Sequence, residues 1–551
     1  MKRHIVLSSL VFAVVGCGGS STTSDPVPDK PSPPTVTLPG QPNDGLAPIS
    51  QSEPDASEHL SGGEVTSNVF NEDAFSQSAP TIRNEFELDA VFKSGDHLFR
   101  GTHKGLGPVF NNPTCQGCHI KDGRGEVPSN KDIAMTSMFL RISDENGQPD
   151  AIYGNQLQTF GTVAGHPTGA LPKFNGALDE GLAYGEAYAF VEYETLTGQF
   201  ADGESYELRN PIYKVTDLSY GPFNDTVRFS ARVSPSIFGS GLLHAIPEAF
   251  ITSYADPDDV DNNGISGRAV YVTEPISEQT KLARFGYKLG AASVLQQIAG
   301  AYRGDMGVTN RINQDEPCTT NQLACIAQAE LEQDSEALGL DLSDIDLAQV
   351  EFYNRLLAVP KRRGFDSLTN TWQDEIVKGR ALFFAANCNG CHVPRHKTGE
   401  APASLLGDVD ILGFKDSSTP IAALSEQVIY PYTDLLLHDM GGECAPISKE
   451  NTQGGSCQIG DNCIYVQRCE GLADNRPEGS ASGTEWRTAP LWGLGLVKQV
   501  NARATFLHDG RARNISEAIL WHGGEAEQAK QAYLAMAKSD RELLLAFLNS
   551  L

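Results

Sequence analysis

Basic residues are scarce in this chain of 551 residues: 42 Lys and Arg stand against 70 Asp and Glu, a formal net charge of −28. Such a surface repels phosphate backbones, which excludes nucleic-acid binding through a basic face. It favours basic protein partners, or serves solubility alone. Long apolar runs are also missing. After residue 17 no stretch reaches the length needed to cross a bilayer, so any membrane attachment would run through lipid alone. Internal repeats are absent apart from one five-residue motif that occurs twice. Histidine is sparse, with none between His119 and His166.

What is present is ordinary for a globular protein. A hydrophobic fraction of 40% suffices to bury a sizeable core, and the length predicts three or four domains at roughly 150 residues each. The first 17 residues read as an address. Lys2 and Arg3 precede an apolar run from Ile5 to Gly16, too short to span a membrane, which ends at Val14-Val15-Gly16-Cys17. A Cys at that place resembles a bacterial lipoprotein signal, in which Cys17 is lipidated and becomes the first residue. The alternative is an ordinary secretory signal with an incidental Cys. Either way export is expected, and lipidation predicts anchoring to a bacterial membrane, in the periplasm or at the cell surface. Residues 18–65, rich in Pro, Ser, Thr and Asp, read as a disordered, extended tether.

Of eleven cysteines, Cys17 goes to the lipid and four fall in Cys115-Gln-Gly-Cys118-His119 and Cys388-Asn-Gly-Cys391-His392. The other six are Cys318, Cys325, Cys444, Cys457, Cys463 and Cys469. An even number in an exported chain predicts three disulfides. Cys318 and Cys325 are close enough to pair locally; the remaining four allow three connectivities, and the sequence does not choose among them.

CxxCH is the attachment signature of c-type haem. Both thiols add to the haem vinyl groups, and His119 or His392 ligates iron from the proximal side. Chance gives about 0.005 such motifs in this length, so two copies predict two haem c groups. A redox-active CxxC, or a zinc site using both pairs, would need the His twice by coincidence.

Residues 66–365 are expected to form an N-terminal haem domain interrupted by a strand-rich insertion at about 139–272, where segments such as Tyr188-Ala-Phe-Val-Glu-Tyr alternate and are split by turn residues. Residues 366–551 are expected to form a C-terminal haem domain. Helices are predicted over 281–303, over 343–358 with Ser343 as N-cap, and over 371–386 leading into Cys388. A further helix starts at Asn514 with Glu517 three residues on, and a last one starts at Ser539. The expected fold is thus mainly α, two cytochrome c-like haem domains with a strand-rich insertion.

Four stretches carry a resemblance: Pro431-Tyr-Thr-Asp-Leu-Leu-Leu-His-Asp-Met-Gly441, Glu485-Trp-Arg-Thr-Ala-Pro-Leu-Trp-Gly493, Phe506-Leu-His-Asp-Gly-Arg511 and Trp521-His-Gly-Gly-Glu525. With Gly105-Leu-Gly-Pro, Ala255-Asp-Pro-Asp-Asp259 and Gly264-Ile-Ser-Gly-Arg268, they resemble the bacterial di-haem oxidoreductases, often labelled thiol oxidoreductases. That family is similar to di-haem cytochrome c peroxidases and to di-haem enzymes that modify a protein tryptophan. In those relatives a HisAspGly-type turn precedes a helix that supplies the distal ligand of the second haem, and the matching position here is His522.

The sixth iron site decides the chemistry: a strong ligand makes a relay, an open site admits substrate. For the second haem His522 is the expected ligand, with His438 and Met440 as competitors; a helix-terminal His favouring the dipole is the bland alternative. His508 reads as a structural group. The first haem has no nearby loop histidine, which favours an open site where peroxide binds. Peroxide cleavage needs an acid–base group and a stabilising donor, and Glu248, His244 and Arg268 are the candidates from family-like segments. Separately, Asp259, Asp261 and Asn263 before Gly264 match the first half of an EF-hand-type loop and suit calcium. The twelfth position is Val270 instead of Glu, so an Asp/Asn-rich turn is the alternative.

The leading expectation is a di-haem oxidoreductase of peroxidase-like chemistry. Small cytochromes would be its electron partners and peroxide or another small oxidant its substrate. The alternatives are a non-catalytic two-haem electron-transfer lipoprotein and a thiol-oxidising enzyme.

Overall fold

Capping side chains and helical spacing of apolar residues set the helices that surround the two CxxCH turns. The computed structural model describes residues 46, 48–162, 182–333, 339–411, 421–458 and 461–551. The signal at 1–17 with Cys17, and the predicted tether as far as residue 45, lie outside them. Helix α1 (Phe86–Arg100) buries Val91, Phe92, Gly95 and Phe99 on one face. Strands β1 (Met138–Ser143), β2 (Tyr188–Gln199), β3 (Ser205–Thr216) and β4 (Arg228–Val233) follow. Helix α2 (Val294–Met306) starts where the Ser293 hydroxyl accepts the Gln296 amide, and α3 (Asp344–Arg355) where Ser343 caps Asp346. Helix α4 (Asp374–Ala385) buries Ile376, Gly379, Arg380, Phe383 and Phe384, the i, i+3, i+4, i+7, i+8 stripe of a core-facing helix. Strands β5 (Leu437–Asp439), β6 (Cys463–Gly471) and β7 (Glu485–Arg487) precede α5 (Ile515–Leu520) and α6 (Lys538–Ser550).

Two glycines permit the close helix crossings. A Cβ on Gly95 would lie 2.3 Å from the Gln349 carbonyl of α3, and one on Gly379 2.1 Å from the Leu543 carbonyl of α6. The buried apolar residues of α1, α3, α4 and α6 belong to one continuous core that also takes in Val65 and Leu551.

The expectation of a mainly α fold is overturned: 27% of the described residues are helical and 21% are in strands, spread over many small sheets. The predicted helix at 281–303 begins only at Val294, because Gly286 and Leu289 take positive φ of 82° and 55° and Thr280–Leu282 is a strand. Strands of the region at about 139–272 also pair with chain outside it. β2 and β3 pair antiparallel over their full length, and β6 from the C-terminal half completes their sheet, with Tyr465 opposite Val215. Residues 48–65, read from composition as tether, are folded among the described residues. Asp55 and Glu58 make a capping box, Val65 is fully buried, and Thr66–Ser67 pairs parallel with Val359–Pro360. Among the described residues no helix is long and apolar enough to cross a membrane.

The six non-motif cysteines pair as Cys318–Cys325, Cys444–Cys469 and Cys457–Cys463, which resolves the connectivity that the sequence left open.

One buried carboxyl gives the fold a pH dependence. Burial pushes Glu186 up to about 8, against the hydrogen bonds that its carboxyl accepts from Gln322 and the Gln158 amide. The native state therefore keeps a proton that the unfolded chain loses above its ordinary value of 4.5. This contribution is full below pH 4.5 and is lost as pH rises through 8. Glu186→Gln is expected to shrink the fall in melting temperature between pH 5 and pH 8; an unchanged difference would refute the assignment.

Candidate haem sites

Thr114 starts the first motif: its hydroxyl accepts the Gly117 amide and opens a single helical turn, Cys115–Cys118. Lys121 and Asp122 then take positive φ of 52° and 62°, so the chain reverses directly after His119. The reversal is pinned by the Asp122 carboxylate, 1% exposed, which accepts the Ser76 and Tyr353 hydroxyls at 2.5 and 2.6 Å. The second motif follows α4, where Asn387 at φ 60° turns the chain into Cys388–Gly390.

His119 donates through Nδ1 to the Pro235 carbonyl at 2.7 Å, and His392 through Nδ1 to the Tyr432 carbonyl at 3.0 Å. In both rings Nε2 is left for a metal, and the carbonyl fixes tautomer and orientation. Burial, opposed by these carbonyls, lowers both rings to about 4, so both are neutral at pH 7 and able to ligate. His522, two residues beyond α5, uses the same device, Nδ1 donating to the Ala518 carbonyl at 2.7 Å, and its field is felt at His392. One cavity of about 880 Å³ is lined by Cys115, Cys118 and His119, by Cys388, Cys391 and His392, and by His522.

All four motif cysteines are free. Burial pushes Cys115 and Cys388 up to about 12, the reverse of what an attacking thiol needs.

The competing ligands separate. His438 is 3% exposed and spends both ring nitrogens on carboxylates, Nε2 on Asp434 at 2.8 Å and Nδ1 on Glu525 at 2.6 Å. Burial opposes its charge, but the Cys391 sulfur and Asp434 outweigh burial and hold it well above the usual histidine value. With neither nitrogen available, it is unsuited to ligate iron. Met440 does line the cavity, beside Gly523. His508, read as a structural group, stacks on Trp486 at 3.6 Å and also lines the cavity.

The acid–base candidates do not converge on the cavity. Glu248 is exposed on the first turn of Glu248–Thr252. His244 is enclosed close to the Arg355 and Arg284 charges, with Nδ1 unpartnered. Arg268 is spent on a bidentate pair with Glu485 at 2.9 and 2.8 Å. None of the three lines the cavity. In the loop read as calcium-binding, the carboxylates that gather within 4.8 Å are Asp256, Asp259 and Asp261. Asn263 is taken by the turn, its Oδ1 accepting the Ile265 amide and its Nδ2 donating to Asp261.

Three cavity-lining residues carry no role in the sequence reading. Asp305 follows Arg303 and Gly304 at the end of α2, and its charge is felt at both Cys115 and Cys118. Arg141 on β1 donates to Gln156 at 3.3 Å, and Gln156 donates to Asp305 at 2.7 Å. Arg487 on β7 has an enclosed, unpartnered Nε. Its signal was present in the sequence as a cation between Trp486 and an apolar run.

Free thiols in pairs, neutral imidazoles with one nitrogen to spare, and unpartnered buried guanidinium nitrogens at Arg141 and Arg487 together fit haem. The profile of a family described as "Di-haem oxidoreductase, putative peroxidase" matches residues 59–450 and 461–551. The chain belongs to the di-haem oxidoreductase family. Haem cofactors follow from that membership. No curated protein matches the chain. A solved structure of Kuenenia stuttgartiensis hydrazine synthase, pressurized with 20 bar xenon, aligns over 92% of this chain and 96% of its own. The alignment has 12% identity and a TM-score of 0.30, and it carries no argument.

Proposed function

We propose that this di-haem oxidoreductase is an exported, lipid-anchored c-type enzyme that reduces peroxide with electrons taken from a small cytochrome. The observation that carries the reading is the single cavity shared by both CxxCH motifs, with His522 on the wall near His392. Cys115, Cys118, Cys388 and Cys391 hold the two macrocycles by thioether bonds, and His119 and His392 are the proximal ligands. His522 would close the second site and make it a relay, and the first would be left to admit oxidant. Bound haem supplies the redox chemistry.

The chain's own groups supply geometry and protons. Pro235 and Tyr432 carbonyls fix the proximal rings. Reduction of a peroxide to water consumes two electrons and two protons, so an acid–base group is required near the first site. Three carboxyls line the cavity. Glu478 is committed to Arg476 and Arg232, and Glu525 to His438 and Ser266. Among the described residues the only side chain that donates to Asp305 is the neutral Gln156 amide, and burial raises its carboxyl, which suits proton exchange. Arg141 beside it is the stabilising cation. The three disulfides accord with an oxidising compartment. A calcium ion at Asp256, Asp259 and Asp261 belongs to the same reading, on the preference of that ion for oxygen ligands.

The test is a pair of optical and EPR spectra of the full-length protein, oxidised and half-reduced, followed by peroxide turnover with a reduced cytochrome. One high-spin and one low-spin haem with turnover is expected. Two six-coordinate low-spin haems in every redox state, without peroxide reaction, would instead identify a two-haem electron wire.

A further inference from the structure

Arg487 ends β7 opposite Leu437 of β5, and its backbone amide donates to the Tyr287 carbonyl at 2.9 Å. Its side chain lines the cavity, makes no ion pair or hydrogen bond among the described residues, and keeps Nε wholly enclosed. Burial lowers the guanidinium only to about 10, so it is charged at neutral pH. The acidic group whose field reaches it is Asp434, and Asp434 is already spent. Its carboxylate accepts His438 Nε2 at 2.8 Å and the Leu436 amide at 2.9 Å. An enclosed charge without a counter-ion is costly, and a carboxylate that enters the cavity removes that cost.

The position of Arg487 narrows the anion. Asp434 acts on His392, and the Tyr287 hydroxyl donates to the Val233 carbonyl at 2.8 Å, two residues before the Pro235 carbonyl that holds His119. Arg487 therefore stands where the surroundings of the two proximal histidines meet. A second orphaned guanidinium nitrogen, Arg141 Nε, belongs to the same cavity wall.

We propose that Arg487 is the carboxylate-binding residue of the di-haem cavity, the counter-ion of an anionic group between the two motifs. The assignment rests on the c-type haem reading above. The anion has two sources: a haem propionate, or a small free carboxylate bound as substrate or effector. As a propionate partner Arg487 would offset the negative charge of that propionate, which favours the reduced state of the haem that carries it.

The experiment uses full-length haem-loaded protein, with Arg487→Gln and Arg487→Lys beside the wild type. Macrocycles are counted by mass spectrometry, and midpoint potentials are read from visible absorbance with and without formate. If the anion is a propionate, Arg487→Gln makes one haem about tenfold harder to reduce without formate, about 59 mV for one electron, and Arg487→Lys recovers most of it. If the anion is free, potentials without formate stay put and Arg487→Gln abolishes a formate-dependent spectral shift seen in the wild type. No change in either measurement overturns the assignment. A wild-type protein with fewer than two macrocycles overturns the haem reading beneath it, and shows in the mass spectrum before any potential is measured.

Discussion

A Glu58→Ala protein is expected to lose about 3–5 kcal/mol of stability, the cost of leaving buried charge unpaired, seen as a lower denaturant midpoint. Glu58 is 1% exposed. Its carboxylate meets Arg362 Nη1 at 2.6 Å and Arg380 Nη2 at 2.9 Å, and accepts the Tyr432 hydroxyl at 2.9 Å. Both guanidinium side chains are at most 1% exposed, so truncation strands two cations beside each other. The damage reaches the haem site, because the Tyr432 carbonyl holds His392. A looser proximal ring should accompany the lost stability, visible as broadening of the low-spin EPR signal. Exposed Glu53, five residues earlier, is the control: Glu53→Ala should stay within about 0.5 kcal/mol. If both variants behave alike, residues 48–65 do not anchor the fold.

Glu58 also shows where sequence reading stops. The Pro/Ser/Thr/Asp composition before residue 65 marks a segment unable to build its own core, yet it says nothing of a partner 304 residues away. The CxxCH motifs were legible because their chemistry is local: both sulfurs and the imidazole come from one turn. So were the caps at Ser343 and Asn514, which act over three residues. The disulfide pairing among Cys444, Cys457, Cys463 and Cys469 was not, since Cys444 meets Cys469 only where Gly442–Cys444 pairs antiparallel with β6, which leaves Cys457 and Cys463 to each other. The acid–base candidates lie off the cavity wall for the same reason. Glu248, His244 and Arg268 stand in family-like segments, but a cavity wall is assembled from distant strands and helices, and β1 and α2 bring Arg141 and Asp305 there instead. His438 looked like a ligand in its HisAspMetGly segment. Only the fold reveals that Glu525, 87 residues on, occupies its second nitrogen.

The replacement His522→Ala is expected to abolish the low-spin signal of the C-terminal haem and turn that site high-spin, while two macrocycles remain attached. Three features hold the ring ready for ligation. Asn514 Oδ1 accepts the Glu517 amide at 2.9 Å and caps α5. The His522 amide and Nδ1 are both tied to the end of that helix, at Ile519 and Ala518. Three residues beyond, the Glu525 carboxylate gathers the Ser266 hydroxyl and amide, the Asp439 amide and His438, which fastens the outgoing chain to β5. A ring held on both sides loses little freedom on binding iron, the advantage of an orienting shell around a ligand. Met440 is the rival, since a thioether also gives a six-coordinate haem. Met440→Leu should therefore leave the low-spin signal intact. The opposite pair of results, signal lost with Met440→Leu and kept with His522→Ala, would transfer the ligand role to the methionine and leave His522 as a capped helix end.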